Sequence, residues 1–196
     1  MVGRDRGSSI ILLYGTKMVN SDRLPDILAR DLDVVFCGIN PATSAAASGH
    51  HFVAASNRFW RAIHLAGFTP ELIRPENDRT LLRYGCGLTA AVDRPTARAD
   101  QVSAQEFAAS AVRLERKIAR YAPRFIAFLG KAAVSALTGE QTIAWGSQAR
   151  LFGGARVWVL PNPSGRNLAF TLDQLVSRYG ELVAAAGKRG IRRREP

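Results

Sequence analysis

The stretch DLDVVFCGINPATSAAASGHHF, residues 31–52, decides how this chain is read. Residues 31–39 form a continuous apolar run rich in β-branched side chains, the pattern of a strand buried on both faces of a parallel sheet. The chain then leaves through Asn40-Pro41 into a loop of small residues that ends in two histidines and Phe52. A loop with so little side-chain volume lets its backbone come close to something flat or charged.

Working outward, three more runs read as buried strands: CGLTAAV (86–92), FIAFLG (125–130) and RVWVLP (156–161). Helical patterns lie between them. Residues 57–67 place Phe59, Trp60, Ile63 and Leu65 at helical spacing, with Ser56 or Asn57 as N-cap. A short helix is expected over 77–84, closed by Gly85. Ser103 and Glu106 form a capping box at the head of a longer helix that ends before Pro123. A further helix follows at 131–137. The last, over 171–187, carries Leu172, Leu175, Val176, Tyr179, Leu182 and Val183 on one stripe. Alternating strands and helices argue an α/β fold, a three-layer α/β/α sandwich around a central, mostly parallel sheet. With 196 residues and no internal repeat, one domain over 31–187 is expected, preceded by an extension (1–30) and followed by a basic tail (188–196). The apolar run at 9–15 reads as an added edge element or docked arm.

Lys and Arg number 27 against 16 Asp and Glu, a net charge of +11 that suits a polyanionic partner such as nucleic acid. Two cysteines, Cys37 and Cys86, are too few for a structural zinc or iron–sulfur site and read as reduced, packed thiols of a cytoplasmic protein. No run is long enough for a membrane span, and the N-terminus lacks a signal-peptide pattern.

In a parallel sheet, sites form in the loops at the carboxyl ends of the strands. Three such loops stand out. Gly38-Ile39-Asn40-Pro41 is not a phosphate-binding P-loop. Pro41 keeps Asn40 extended or in a turn, so its amide either closes the strand as an Asx-turn or orients a water; it cannot act as a base. Asp93 ends the second strand, where it either polarises a water or caps a turn and pairs with Arg94. The loop NPSGRN (162–167) repeats the first arrangement and raises Arg166 on a stiff tip, suited to insertion into nucleic acid or to an ordinary surface turn. His50 and His51 have no acidic or cysteine partner nearby in sequence, so no metal is expected; HHF instead offers an aromatic face with polar tips.

Taken together, GINPATSAAASGHHF…NRFW, GCGLTAAVDRPT, FIAFLGKAA and LPNPSGRN resemble the mismatch-specific uracil/thymine-DNA glycosylases, the second family of the uracil-DNA glycosylase superfamily, over residues 33–187. The resemblance implies a monofunctional glycosylase of base-excision repair. It would hydrolyse uracil, or thymine and other modified pyrimidines, opposite guanine, without metal or other cofactor. By the same resemblance Asn40 positions the attacking water; Asp93, the one acidic side chain in the three loops, is the candidate to assist it. Gly38, Ile39, His51, Phe52 and Asn162 bind the flipped base, Phe52 by stacking. Ser164, Gly165, Arg166 and Asn167 form the wedge that enters DNA. Arg166 and GHHF are closer to the animal thymine glycosylases than to the common bacterial pattern, and Ala45 and Ala90 remove polar groups that relatives carry near the base. The expected partner is double-stranded DNA with G·U or G·T mismatches, with single-stranded uracil DNA as a further substrate, acted on by a monomer and not at a membrane. A mismatch binder without catalysis and a hydrolase of free nucleosides or nucleotides are the competing readings. No lysine lies in the two active-site motifs, GINPATSAAASGHHF…NRFW and LPNPSGRN, which argues against Schiff-base lyase chemistry; Lys131, after the third strand, reads as the first turn of a helix.

Overall fold

The computed structural model describes residues 23–187, so the apolar run at 9–15 and the basic tail lie outside the described residues. Four strands, β1 (Val34–Gly38), β2 (Cys86–Ala90), β3 (Phe125–Leu129) and β5 (Ala155–Leu160), pair in parallel, in the order β2-β1-β3-β5. Their buried apolar side chains alternate between two cores. Phe36, Leu88 and Ala127 point to a layer formed by helices α2 (Phe59–Leu65) and α5 (Leu172–Ala186). Val35, Ile126 and Val159 point to the opposite layer, formed by α3 (Ala104–Tyr121) and α4 (Lys131–Thr138). The result is the expected three-layer sandwich, because each strand must cover two apolar faces.

Several local expectations are met by chemistry. The Ser103–Glu106 capping box heads α3, and a second one, Thr171–Gln174, heads α5. Leu175, Tyr179 and Leu182 are the buried stripe of α5, with Leu172 and Val183 packed at its margin. Both cysteines are buried, and burial pushes their thiols well above the ordinary range, so they stay protonated and packed.

The structure corrects other expectations. A fifth strand, β4 (Gly146–Phe152), pairs antiparallel to β5 at the sheet edge. Its central residues face solvent and its register shifts between Ser147 and Leu151, so no apolar alternation marks it. The legible signal was Gly153-Gly154, whose φ values of 56° and 84° make the two-residue hairpin turn. The small-residue loop is not all loop: Thr43–Ser48 winds into a short helix, α1, closed by Gly49 in the left-handed region. Residues Pro75–Tyr84 form 3-10 turns with a break at Asn77, not an α-helix. Leu65 is 54% exposed and leaves the core stripe of α2. That helix begins at Phe59, whose N–H donates to Asn57 Oδ1, so Asn57 does serve its N-terminus.

Residues 25–28 do not trail away from the domain. The Ile27 N–H donates to Leu88 O (2.9 Å) and the Leu88 N–H to Ile27 O (2.8 Å), extending the sheet beyond β2. Leu32 and Ile27 are both buried in the cores. Gly87 makes this docking possible: a Cβ there would stand 2.6 Å from both Ile27 O and Leu32 Cδ1. Gly87→Ala should therefore destabilise the protein by about 1–3 kcal/mol, read as a lower urea midpoint. The docked segment also receives His51, whose Nε2 lies 2.9 Å from Pro25 O. A carbonyl only accepts, so Nε2 carries the proton. Burial holds the imidazole below its ordinary 6.5. A depressed histidine favours the folded state fully above that value and loses the contribution as the pH falls below it. The melting temperature should thus drop from about pH 7.5 to about pH 5.5, and His51→Gln should flatten part of that drop.

Candidate active site

The carboxyl ends of the parallel strands open into a cavity of about 970 Å³. Its wall includes Gly38, Ile39, Asn40 and Phe52 from the first loop, Asp93 from the second, and Asn162, Ser164, Arg166 and Asn167 from the third. The three loops that the sequence singles out converge because parallel strands all end on one side of the sheet.

Asn40 is the most constrained side chain of this wall. Its Nδ2 donates to Thr96 Oγ1 (2.7 Å), Arg94 O (3.0 Å) and Pro41 O (3.2 Å). The Thr96 hydroxyl spends its own proton on Arg98 O at 2.6 Å, so it must accept from Asn40. That settles which end of the amide faces which way. Oδ1, a pure acceptor, is left without a hydrogen bond among the described residues. The backbone reinforces the tie: Thr43 N–H donates to Thr96 O and Thr96 N–H to Pro41 O, a parallel bridge between the ends of β1 and β2. Asn40 is thus neither a local Asx-turn nor free, but a bolt between two loops.

Asp93 lines the same wall with its side chain 41% exposed, and Lys117 Nζ lies 3.9 Å from Oδ1. Arg94, considered from sequence as its partner, instead forks onto Glu106 and pulls that carboxyl down to about 2. Asp93 therefore remains open to the cavity. A second carboxylate, Asp26, was not anticipated. It lines the cavity, accepts from Thr89 Oγ1 (2.7 Å) and pairs with Lys117 (2.6 Å). Only the docking of residues 25–28 on β2 brings it there.

Phe52 lies against Phe59, ring centroids 4.1 Å apart and 28° from parallel. Its backbone is left-handed, φ 55°, uncommon for an aromatic residue. His51 holds it so. The His51 N–H donates to Asp78 Oδ2 (3.0 Å), its carbonyl accepts from Trp60 Nε1 (3.2 Å), and its ring is spent on Pro25. His51, read from sequence as a base contact, is 6% exposed and acts as a strut for Phe52. A Cβ on Gly38 would sit in ordinary contact, 3.9 Å from Phe52 Cζ, so the missing side chain widens the cavity beside the ring. Ala45 and Ala90 line it too.

The third loop is built on Arg58, which the sequence did not single out. Its guanidinium donates to Phe170 O (2.5 Å), Asn167 O (2.8 Å), Ser164 O (3.0 Å) and Pro163 O (3.4 Å), and its N–H to Pro163 O (3.0 Å). Five donors in a planar fork suit a loop whose carbonyls point inward. Gly165 packs so close to Ser56 that a Cβ would stand 2.6 Å from its Cβ and carbonyl oxygen. Asn162 Oδ1 accepts from Ser164 N–H, leaving Nδ2 toward the cavity wall beside Gly130. Asn167, read as part of the wedge, turns inward: Nδ2 donates to Asn162 O and Oδ1 accepts from Ala169 N–H. Arg166 stays exposed. Lys131, set aside in the sequence as a helix residue, also reaches the cavity wall, its Nζ 4.6 Å over the Trp145 ring. Among the described residues no cluster of three His, Cys, Asp or Glu side chains could hold a metal.

The fold is shared with a protein of known structure. A solution NMR structure of a Methanosarcina acetivorans protein, provisionally described as a uracil DNA glycosylase, superposes with a TM-score of 0.57 at 19% identity, covering 83% of this chain and 98% of that one. At that identity the likeness shows the fold. The family model for the uracil DNA glycosylase superfamily matches residues 25–182, starting where the docked N-terminal segment begins. The chain therefore belongs to the uracil DNA glycosylase superfamily, a family of DNA glycosylases that act hydrolytically on DNA.

Proposed function

We propose that this protein is a monofunctional, mismatch-directed glycosylase that excises uracil, and related pyrimidines, opposite guanine. The observation that carries the proposal is the orientation of Asn40: three acceptors hold Nδ2, and Oδ1 remains to accept a proton of a water in the cavity. A flipped base needs a flat, largely apolar slot, and Phe52 backed by Phe59 supplies one face of it. Water adds to the sugar carbon as its bond to the base breaks, and the bonding electron pair leaves on the pyrimidine. The water gives up a proton, which the Asp93 carboxylate can take. An amide cannot take it, so Asn40 positions and Asp93 assists. Excision opposite guanine is favoured by the low cost of unstacking a mispaired base. Lys131 is engaged over the Trp145 ring, its Nζ 4.6 Å from the centroid.

The deciding assay uses a labelled duplex with one G·U pair under single-turnover conditions, followed by alkali. Strand breaks at the uracil are expected; an intact strand would leave only mismatch binding, and hydrolysis of free deoxyuridine alone would favour the nucleoside reading. Asn40→Ala should lower single-turnover cleavage roughly a hundredfold while still retaining the mismatched duplex in a gel shift. Asp93→Ala should cost on the order of a hundredfold as well; an unchanged rate would make Asp93 a surface residue. Arg58→Ala removes the support of the third loop, so duplex cleavage should fall roughly tenfold or more while cleavage of single-stranded uracil DNA changes little. Arg58→Lys should not restore it, since a point charge cannot serve carbonyls spread over eight residues, Pro163 to Phe170.

A further inference from the structure

Two carboxylates stand in the cavity wall, Asp26 on the docked N-terminal segment and Asp93 after β2. Lys117, from α3, does not line the cavity but reaches both of them from behind. Its Nζ lies 2.6 Å from Asp26 Oδ2, 3.4 Å from Thr89 Oγ1 and 3.9 Å from Asp93 Oδ1. The three contacts differ in kind. The first is a closed ion pair, the second a weak hydrogen bond, and the third is too long for a hydrogen bond but well within Coulomb range. Asp26 is itself fixed. Its Oδ1 accepts from the buried Thr89 hydroxyl at 2.7 Å, and its neighbour Ile27 is paired with Leu88 through two backbone hydrogen bonds. The place of the ammonium group is therefore set by Asp26, and Asp93 takes what attraction remains.

We propose that Lys117, anchored by Asp26, is a positioning residue for Asp93, holding that carboxylate in the cavity wall without closing an ion pair with it. The inference rests on the glycosylase reading above, in which Asp93 takes a proton from the attacking water. Two carboxylates within reach of one ammonium group repel each other, and with no cation between them Asp93, 41% exposed, would turn out to solvent. A closed pair with Lys117 would instead occupy carboxylate oxygens that the water needs. Asp26 prevents both outcomes. It holds the shortest contact of the lysine and leaves Asp93 attracted from 3.9 Å with its oxygens open. Once the water proton has moved to Asp93, that carboxyl is neutral, and the Asp26–Lys117 pair behind it is balanced in itself. No lone charge is stranded in the wall.

The test follows Lys117→Met, Lys117→Arg and Asp26→Asn, each alone and combined with Asp93→Ala. Three quantities are measured: single-turnover cleavage of the G·U duplex, affinity for the same duplex carrying an uncleavable 2′-fluoro analogue of deoxyuridine, and the urea midpoint. Lys117→Met and Asp26→Asn should each slow cleavage roughly tenfold while affinity stays within about twofold. Lys117→Arg should keep most of the rate, since a guanidinium retains the charge and the donors. Neither slow variant should lose more in the Asp93→Ala background, because residues that act through one another are not additive. Asp26→Asn keeps the side chain's shape and its acceptor for Thr89, so it makes the same comparison should Lys117→Met fail to fold. The same loss with and without Asp93 would overturn the inference. So would a lowered urea midpoint with cleavage at the wild-type rate, the result of an anchor that only fastens α3 to the N-terminal segment. Absence of cleavage by the wild type would strike the glycosylase reading itself, and the inference with it; an active wild type with an equally active Lys117→Met strikes the inference alone.

Discussion

The amide of Asn40 fastens together the loops that leave two neighbouring strands. β1 and β2 end side by side, and beyond them a short backbone bridge at Ala42 and Thr96 continues the pairing. Nδ2 adds a side-chain tie by reaching the Thr96 hydroxyl and the Arg94 carbonyl. Because that hydroxyl is already a donor to Arg98, the amide has one permitted orientation. The same contacts that hold the wall together therefore aim its acceptor. Position and chemistry are not separate achievements here: one hydrogen-bond network produces both.

A comparable economy governs the opposite wall. Arg58 and Phe59 are neighbours at the head of α2, yet they serve different loops. Arg58 collects the carbonyls of the third loop, and Phe59 backs the Phe52 ring. The slot for a base and the tip that would meet DNA are thus referred to one point of the scaffold. His51 extends the arrangement to the N-terminal segment, since its ring is fastened to Pro25 while its backbone shapes the approach to Phe52. A cavity of this size between three loops needs such fixed supports, because loops otherwise carry the least local stability in a fold.

Much of the fold was legible in the chain. Continuous apolar runs marked β1, β2, β3 and β5, and serine followed three residues later by glutamate marked the head of α3. What escaped was whatever lacked a period. β4 has solvent on most of its residues and an irregular register, so it reads as loop. α1 is a single short winding of small residues, whose propensity is overruled or supported only by what packs around it. Among candidate site residues, Asn40, Phe52, Asp93 and Arg166 do stand at the cavity. His51 and Asn167 do too, but their polar atoms are committed to protein partners that no spacing could reveal.

The sequence alone determined the layer architecture, the side of the sheet on which the loops gather, and the superfamily resemblance. Apolar periodicity and strand direction are local properties, and a parallel sheet leaves its loops one common edge. Only the tertiary structure decided the orientation of the Asn40 amide, the service of Arg58 beneath the third loop and the arrival of Asp26 beside Thr89. Each depends on groups far apart in the chain, up to 112 residues for Arg58 and Phe170, and a hydrogen bond's partner is a fact of space rather than of order along the chain.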